Sequence, residues 1–130
     1  MLLYSGRHLV HYGQIALLDA EDKSSYPNPV GPLPWIGPKG IVVPAKTDEW
    51  VQVLVGAGTA ADLADRPVTF LTRTTIAVGK RGLLVGNITT ASTAEIDWPA
   101  GRTTVSAFHA GDSLRDADYI VFALEHDLQR

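Results

Sequence analysis

The sequence contains no cysteine, and its only methionine is Met1. A thiol nucleophile, a thiolate metal site, an iron–sulfur cluster and a disulfide staple are therefore excluded. Charge is sparse: 19% of residues are charged, with 11 Lys and Arg against 14 Asp and Glu, for a net −3. A protein that lives on a nucleic-acid backbone usually carries a basic excess, so no direct nucleic-acid binding is expected. Long apolar runs are missing too. The longest, Tyr119 to Leu124, falls far short of the ~20 residues that span a bilayer. The start, Met1 to His8, has no basic lead before an apolar core, so it does not read as a secretory signal. The expectation is a soluble, cytoplasmic protein without membrane association.

What is present fits one small globular unit. A chain of 130 residues is expected to form a single domain, residues 1–130, that buries roughly two-thirds of its unfolded surface without a metal. Hydrophobic residues make up 45% of the chain, too many for a disordered one. Glycine and proline, 12 and 8 in number, punctuate the chain so densely that few windows permit a helix longer than two turns. Between them lie short runs rich in Val, Ile, Thr and aromatics, whose branched or flat side chains suit a pleated surface.

Eight strands are read from these runs: about His8 to Asp19, Gly40 to Pro44, Trp50 to Val55, Val68 to Val78, Leu83 to Asn87, Ala94 to Trp98, Thr103 to His109 and Asp118 to His126. Val51, Val53 and Val55 alternate with Trp50, Gln52 and Leu54; Val68, Phe70, Thr72 and Thr74 alternate with Thr69, Leu71, Arg73 and Thr75. The last run is apolar at both parities, Ile120, Phe122 and Leu124 against Tyr119, Val121 and Ala123, which predicts a central strand buried on both faces. Gly79-Lys80-Arg81-Gly82 and Pro99-Ala100-Gly101 are read as hairpin turns, because glycine supplies the positive φ such turns need. One short helix, Ala60 to Ala64, is suggested by the capping pattern of Thr59 and Asp62 and stopped by Pro67. Strands at roughly ten-residue spacing predict an all-β, antiparallel, jelly-roll-like sandwich.

Residues Asp19 to Lys39 stand apart. Asp19, Glu21, Asp22 and Lys23 open the stretch, and five of the eight prolines fall between positions 27 and 38. Proline removes the donors a ladder needs, so a long loop is expected here. Its stiffness lowers the entropy cost of presenting Trp35 to a partner. The plainer alternative is that Tyr26, Leu33 and Trp35 fold back and cap an open end of the sandwich, since large aromatics contribute most when buried.

No motif names a reaction. His8 and His11, three apart, point to opposite faces of a strand and cannot share a metal there; only a site assembled from distant strands remains. No Gly-x-Ser-x-Gly elbow occurs. Gly37-Pro38-Lys39-Gly40 is too short for a phosphate loop, and Pro38 removes an N–H such a loop would use. Gly56-Ala57-Gly58 lacks the third glycine of a dinucleotide fingerprint. Glu95 and Asp97 share a strand face, a pattern that serves acid–base pairs but more commonly protects an exposed edge with charge. Asp112, Asp116 and Asp118 lack the spacing of a calcium loop and read as a solvated connection. No metal and no cofactor is expected.

From Ala94 to Phe108 the chain reads as a strand, a turn at Pro99-Ala100-Gly101 and a second strand; a polar loop and the strand from Asp118 to Glu125 follow. Near the start, His11 to Asp19 carries a Tyr-x-Gln run, and Gly40-Ile41-Val42-Val43 follows the long loop. This order resembles the competence-J-like proteins, small bacterial β proteins whose namesake inhibits a partner nuclease. The resemblance covers about half the chain and lends no catalytic residue. It implies a binding protein that acts on a nuclease or toxin.

Three functions fit this reading. The first is a non-catalytic binder of another protein, with Asp19, Glu21 and Asp22 beside Tyr26 and Trp35 as the contact patch. Asp112 and Asp116 would support that patch if they lay at the same end. The second is a small-molecule barrel, or an enzyme within one, with His11, Arg73, Thr75 and His109 pointing inward. The third is a structural module that pairs with a second copy through an exposed edge strand.

Overall fold

A computed structural model describes residues 1–127 of the chain. Ten strands form two five-stranded sheets stacked face to face. The first sheet holds β1 (Leu2–Val10), β5 (Glu49–Ala57), β10 (Tyr119–His126), β9 (Gly101–Ala110) and β6 (Thr69–Val78), in that spatial order. The second holds β3 (Trp35–Gly37), β4 (Gly40–Pro44), β2 (Gln14–Asp19), β7 (Leu83–Asn87) and β8 (Ser92–Ile96). The all-β sandwich expected from the strand spacing is therefore what forms, and among the described residues the sheets do not close into a barrel.

The inward side chains alternate as the pleat requires. Val51, Val53 and Val55 of β5 and Ile120, Phe122 and Leu124 of β10 meet Ile15 and Leu17 of β2 and Leu83 and Val85 of β7 in one core. β10 sits at the centre of its sheet, with six consecutive buried residues from Tyr119 to Leu124. Its outward residues Tyr119, Val121 and Ala123 pack with Leu54 and with Leu63 of a single-turn helix, α1 (Ala60–Leu63), which covers the first sheet from outside. Thr59 caps that helix by accepting from the Asp62 N–H.

Several local expectations need correction. The run from His8 to Asp19 is not one strand: Tyr12 and Gly13 take left-handed conformations, φ 58° and 61°, and turn the chain from β1 into β2 of the other sheet. Gly79–Gly82 and Pro99–Gly101 are not hairpin turns. Each carries the chain across from one sheet to the other, β6 to β7 and β8 to β9. The pairing is not wholly antiparallel, because β10 runs parallel to β5. A bulge at Leu71 shifts the β6 register between Phe70 and Thr72. Phe70 therefore lies opposite the outward Phe108, and Thr72 lies opposite the buried Ala107.

At one margin the two sheets are joined by a buried histidine. The Ser92 carbonyl can only accept, so His8 donates its Nδ1–H to it at 2.7 Å. That leaves Nε2 free to accept from the Tyr4 hydroxyl at 2.7 Å. His8 on β1 thus holds β8 of the opposite sheet.

The strand directions define two ends. Asp19, Gly40, the Gly79–Gly82 turn and Gly101 lie at one, called here the Gly79 end. Tyr12, the 45–48 loop and the 111–118 loop lie at the other, the Tyr12 end. Ten-residue strands such as β9 separate the ends by about 30 Å.

Candidate functional site

The acidic stretch that opens the long loop lies at the Gly79 end. Asp19 is 5% exposed. Its Oδ1 accepts the Gly79 N–H at 3.0 Å and the Glu21 N–H at 3.3 Å. Glu21 accepts the Lys80 N–H at 2.9 Å. Asp22 pairs with Lys39 at 2.8 Å and accepts from both the amide and the hydroxyl of Ser24. The Lys39 ammonium, helped by Ser24, holds the Asp22 carboxyl well below the usual carboxylate range. These groups line an open depression of about 490 Å³ with Ala77, Val78 and Gly79. Their acceptors are directed at the chain's own turn amides and at Lys39. Asp19 and Glu21 hold the crossing turn in place, and Asp22 holds Lys39 and the Ser24 turn.

The proline-rich segment folds back, as the plainer alternative had it, but onto a face rather than an open end. Tyr26, Leu33 and Trp35 pack over Ala16, Leu18 and Val42, the outward residues of the second sheet. Three residues of the segment even pair: β3 bonds to β4 with Trp35 opposite Val42. Trp35 meets Tyr26 edge-to-face, centroids 6.4 Å apart, and donates its indole N–H to the Gly31 carbonyl at 2.9 Å. The Tyr26 hydroxyl donates to Gln14, and partial burial pushes its pKa up. Both rings are half-buried, so each keeps an open edge.

Asp112 and Asp116 are exposed at the Tyr12 end, the far side of the molecule from Asp19, Glu21 and Asp22. The seven residues singled out from the sequence therefore do not form one patch. Tyr26 and Trp35 lie on the face between the two acidic groups. Leu33 extends that aromatic face toward the Tyr12 end. There it lines a notch of about 500 Å³ with Tyr12, Pro44, Thr47, Leu114 and Arg115.

This notch was not anticipated. Tyr12 is 79% exposed and Leu114 42% exposed. The turn that carries Tyr12 is anchored by Asn87, which is fully buried and donates from Nδ2 to the carbonyls of His11 and Gln14 at 2.9 and 2.8 Å. The carbonyl of Gly13 accepts from Ala45 at 2.8 Å, and Lys46 donates its N–H to the Ala117 carbonyl, so the three loops brace one another. The available sequence signals were a tyrosine in a Tyr-Gly turn and a lone leucine in the polar run Asp112-Ser113-Leu114-Arg115-Asp116.

The inward-facing constellation of a ligand barrel does not assemble. His11 and Arg73 are exposed, and Thr75 faces outward opposite Thr104. Only His109 reaches the interior, where its Nδ1 has no protein partner. Glu95 is exposed and paired with Arg81 at 2.7 Å. Among the described residues no three His, Asp or Glu side chains converge as a metal site, and no helix is long and apolar enough to cross a membrane.

No family model matches the chain, and no curated protein matches it. Among solved structures, the fold is similar to that of ComJ from Bacillus subtilis, an inhibitor of the DNA degrading activity of NucA. The TM-score is 0.67 over 95% of this chain and 96% of that one, at 11% sequence identity. A likeness at that identity establishes the shared fold alone. The competence-J resemblance drawn from the order of strands holds at that level.

Proposed function

We propose that the protein acts by binding another protein and that its partner is a deoxyribonuclease, which it inhibits. The observation that carries this reading is the near-complete fold match to a nuclease inhibitor, 95% of this chain against 96% of that one. The physical chemistry of the surface supports it. Trp35 and Tyr26 present half-buried aromatic edges that are already ordered by their neighbours, so little entropy is lost on contact. Asp112 and Asp116 stand exposed near the notch that this face runs into. An enzyme that cuts DNA must hold a polyanion, and its cleft carries positive potential. Exposed carboxylates are suited to occupy such a cleft. Asp19 and Glu21 are assigned to holding the crossing turn instead, and Asp22 to pairing with Lys39.

The test is a DNA-degradation assay with NucA and increasing amounts of the purified chain. Stoichiometric loss of degradation is expected. Unchanged degradation at large excess over NucA, with no complex detected by light scattering, would remove the reading.

A further inference from the structure

Charge is unevenly distributed along this fold. The Tyr12 end carries six carboxylates, Asp48, Glu49, Asp65, Asp112, Asp116 and Asp118, against three cations, Lys46, Arg66 and Arg115. The excess equals the net −3 of the whole chain; the remaining eight acidic and eight basic residues cancel. Two of the cations are engaged at this end, Arg66 with Asp65 at 2.9 Å and Lys46 with Glu49 at 3.9 Å. Arg115 lines the notch itself. Asp48, Asp112 and Asp116 lie on the loops that bear the notch and outnumber this cation; among the described residues none of the three has a Lys or Arg partner, and Asp48 lies 3.8 Å from His11.

Within this rim sits the exposed apolar pair Tyr12 and Leu114. Tyr12 is also held at φ 58°, a conformation a bulky side chain adopts at a cost and one that Asn or Gly tolerates better. Folding alone favours neither an exposed tyrosine nor this backbone for it. Both features are explained if the side chain is used outside the molecule.

We infer that the Tyr12 end is the docking surface for the basic, DNA-holding cleft of the nuclease partner, with Tyr12 and Leu114 as apolar anchors and Asp48, Asp112 and Asp116 as the charged rim. The assignment rests on the reading of the protein as a nuclease inhibitor. It adds the place of contact and the division of labour. The carboxylates steer the encounter and set its salt dependence, and the buried anchors slow dissociation.

The experiment measures association and dissociation of purified NucA with the intact chain and four variants. Tyr12→Asn suits the left-handed backbone, so its urea midpoint should equal or exceed that of the parent while its affinity falls about tenfold or more. Leu114→Ser should fall likewise. Paired Asp112→Asn and Asp116→Asn should slow association a few-fold and flatten its salt dependence, with little change in dissociation. Glu95→Gln, at the opposite end, should bind as the parent does. If the parent binds NucA and the Tyr12 and Leu114 variants bind equally well, the docking site is wrong and the inhibitor reading stands. If the parent does not bind NucA at all, the inhibitor reading fails and the docking assignment fails with it.

Discussion

The Oδ1 of Asp19 accepts the backbone N–H of Gly79 at 3.0 Å across 60 residues of sequence, tying the last residue of β2 to the turn that brings the chain out of the other sheet. This bond fixes where the two layers meet. It also leaves the Asp19 side chain almost wholly buried, with its Oδ1 taken up by the chain's own amides.

Asp19→Ala leaves two amide donors without their carboxylate in a mostly buried setting. The loss should be about 2 kcal/mol of folding stability, read from urea unfolding. Asp19→Asn keeps an acceptor oxygen and should lose less. Neither change should weaken a complex formed at the Tyr12 end.

The Asp22–Lys39 pair gives a pH signature. Its native-state pKa lies below the ordinary 3.8, first because of the Lys39 hydrogen bond and then because of Ser24. A depressed carboxyl stabilises the fold fully above its unfolded pKa, and that contribution is lost as pH falls through the native value. Carbon-detected titration should show Asp22 still ionised at about pH 3, where unperturbed aspartates are largely protonated. In Lys39→Ala the titration should return toward the ordinary range.

Asn87→Ala removes a fully buried amide that bonds to two carbonyls of the Tyr12 turn and accepts from Thr89 and Thr90. The orphaned groups should cost about 3 kcal/mol or more in chemical denaturation. Residual folded protein should bind a partner more weakly than the parent does, because the turn that presents Tyr12 loses its anchor.

Trp35→Ala strips the cover from Ala16, Leu18 and Val42 and releases the Gly31 carbonyl. A half-exposed indole should cost about 1–2 kcal/mol of stability, less than the ~3–5 of a fully buried one. A loss of affinity for the partner alongside it would place the aromatic face within the contact. Lost stability with unchanged affinity would confine Trp35 to the fold.

Much of this architecture was legible in the order of residues. The valines of β5 and the doubly apolar β10 declared their burial, because side-chain alternation is a local property. Thr59 and Asp62 declared α1. Which sheet a strand joins is not local. Glycines at 79 and 82 turn a chain equally well within a sheet or between sheets, so the local sequence at Gly79–Gly82 and Pro99–Gly101 does not tell a crossing from a hairpin. The parallel pairing of β5 with β10 joins strands far apart in sequence, and no spacing rule reports it. The acidic groups at the two ends could be told apart only once strand directions were known. Tyr12 is hidden inside an apparent single strand, because no proline and only one glycine, Gly13, breaks the run from His8 to Asp19.

The central claim is that the protein works through its Tyr12 end. Amide hydrogen exchange of the chain, followed with and without saturating NucA, tests it most directly. The account predicts slowed exchange over residues 11–13, 45–49 and 112–116, with residues 19–22 and 79–82 unchanged. Protection confined to residues 19–22 and 79–82, or no protection anywhere, would contradict it.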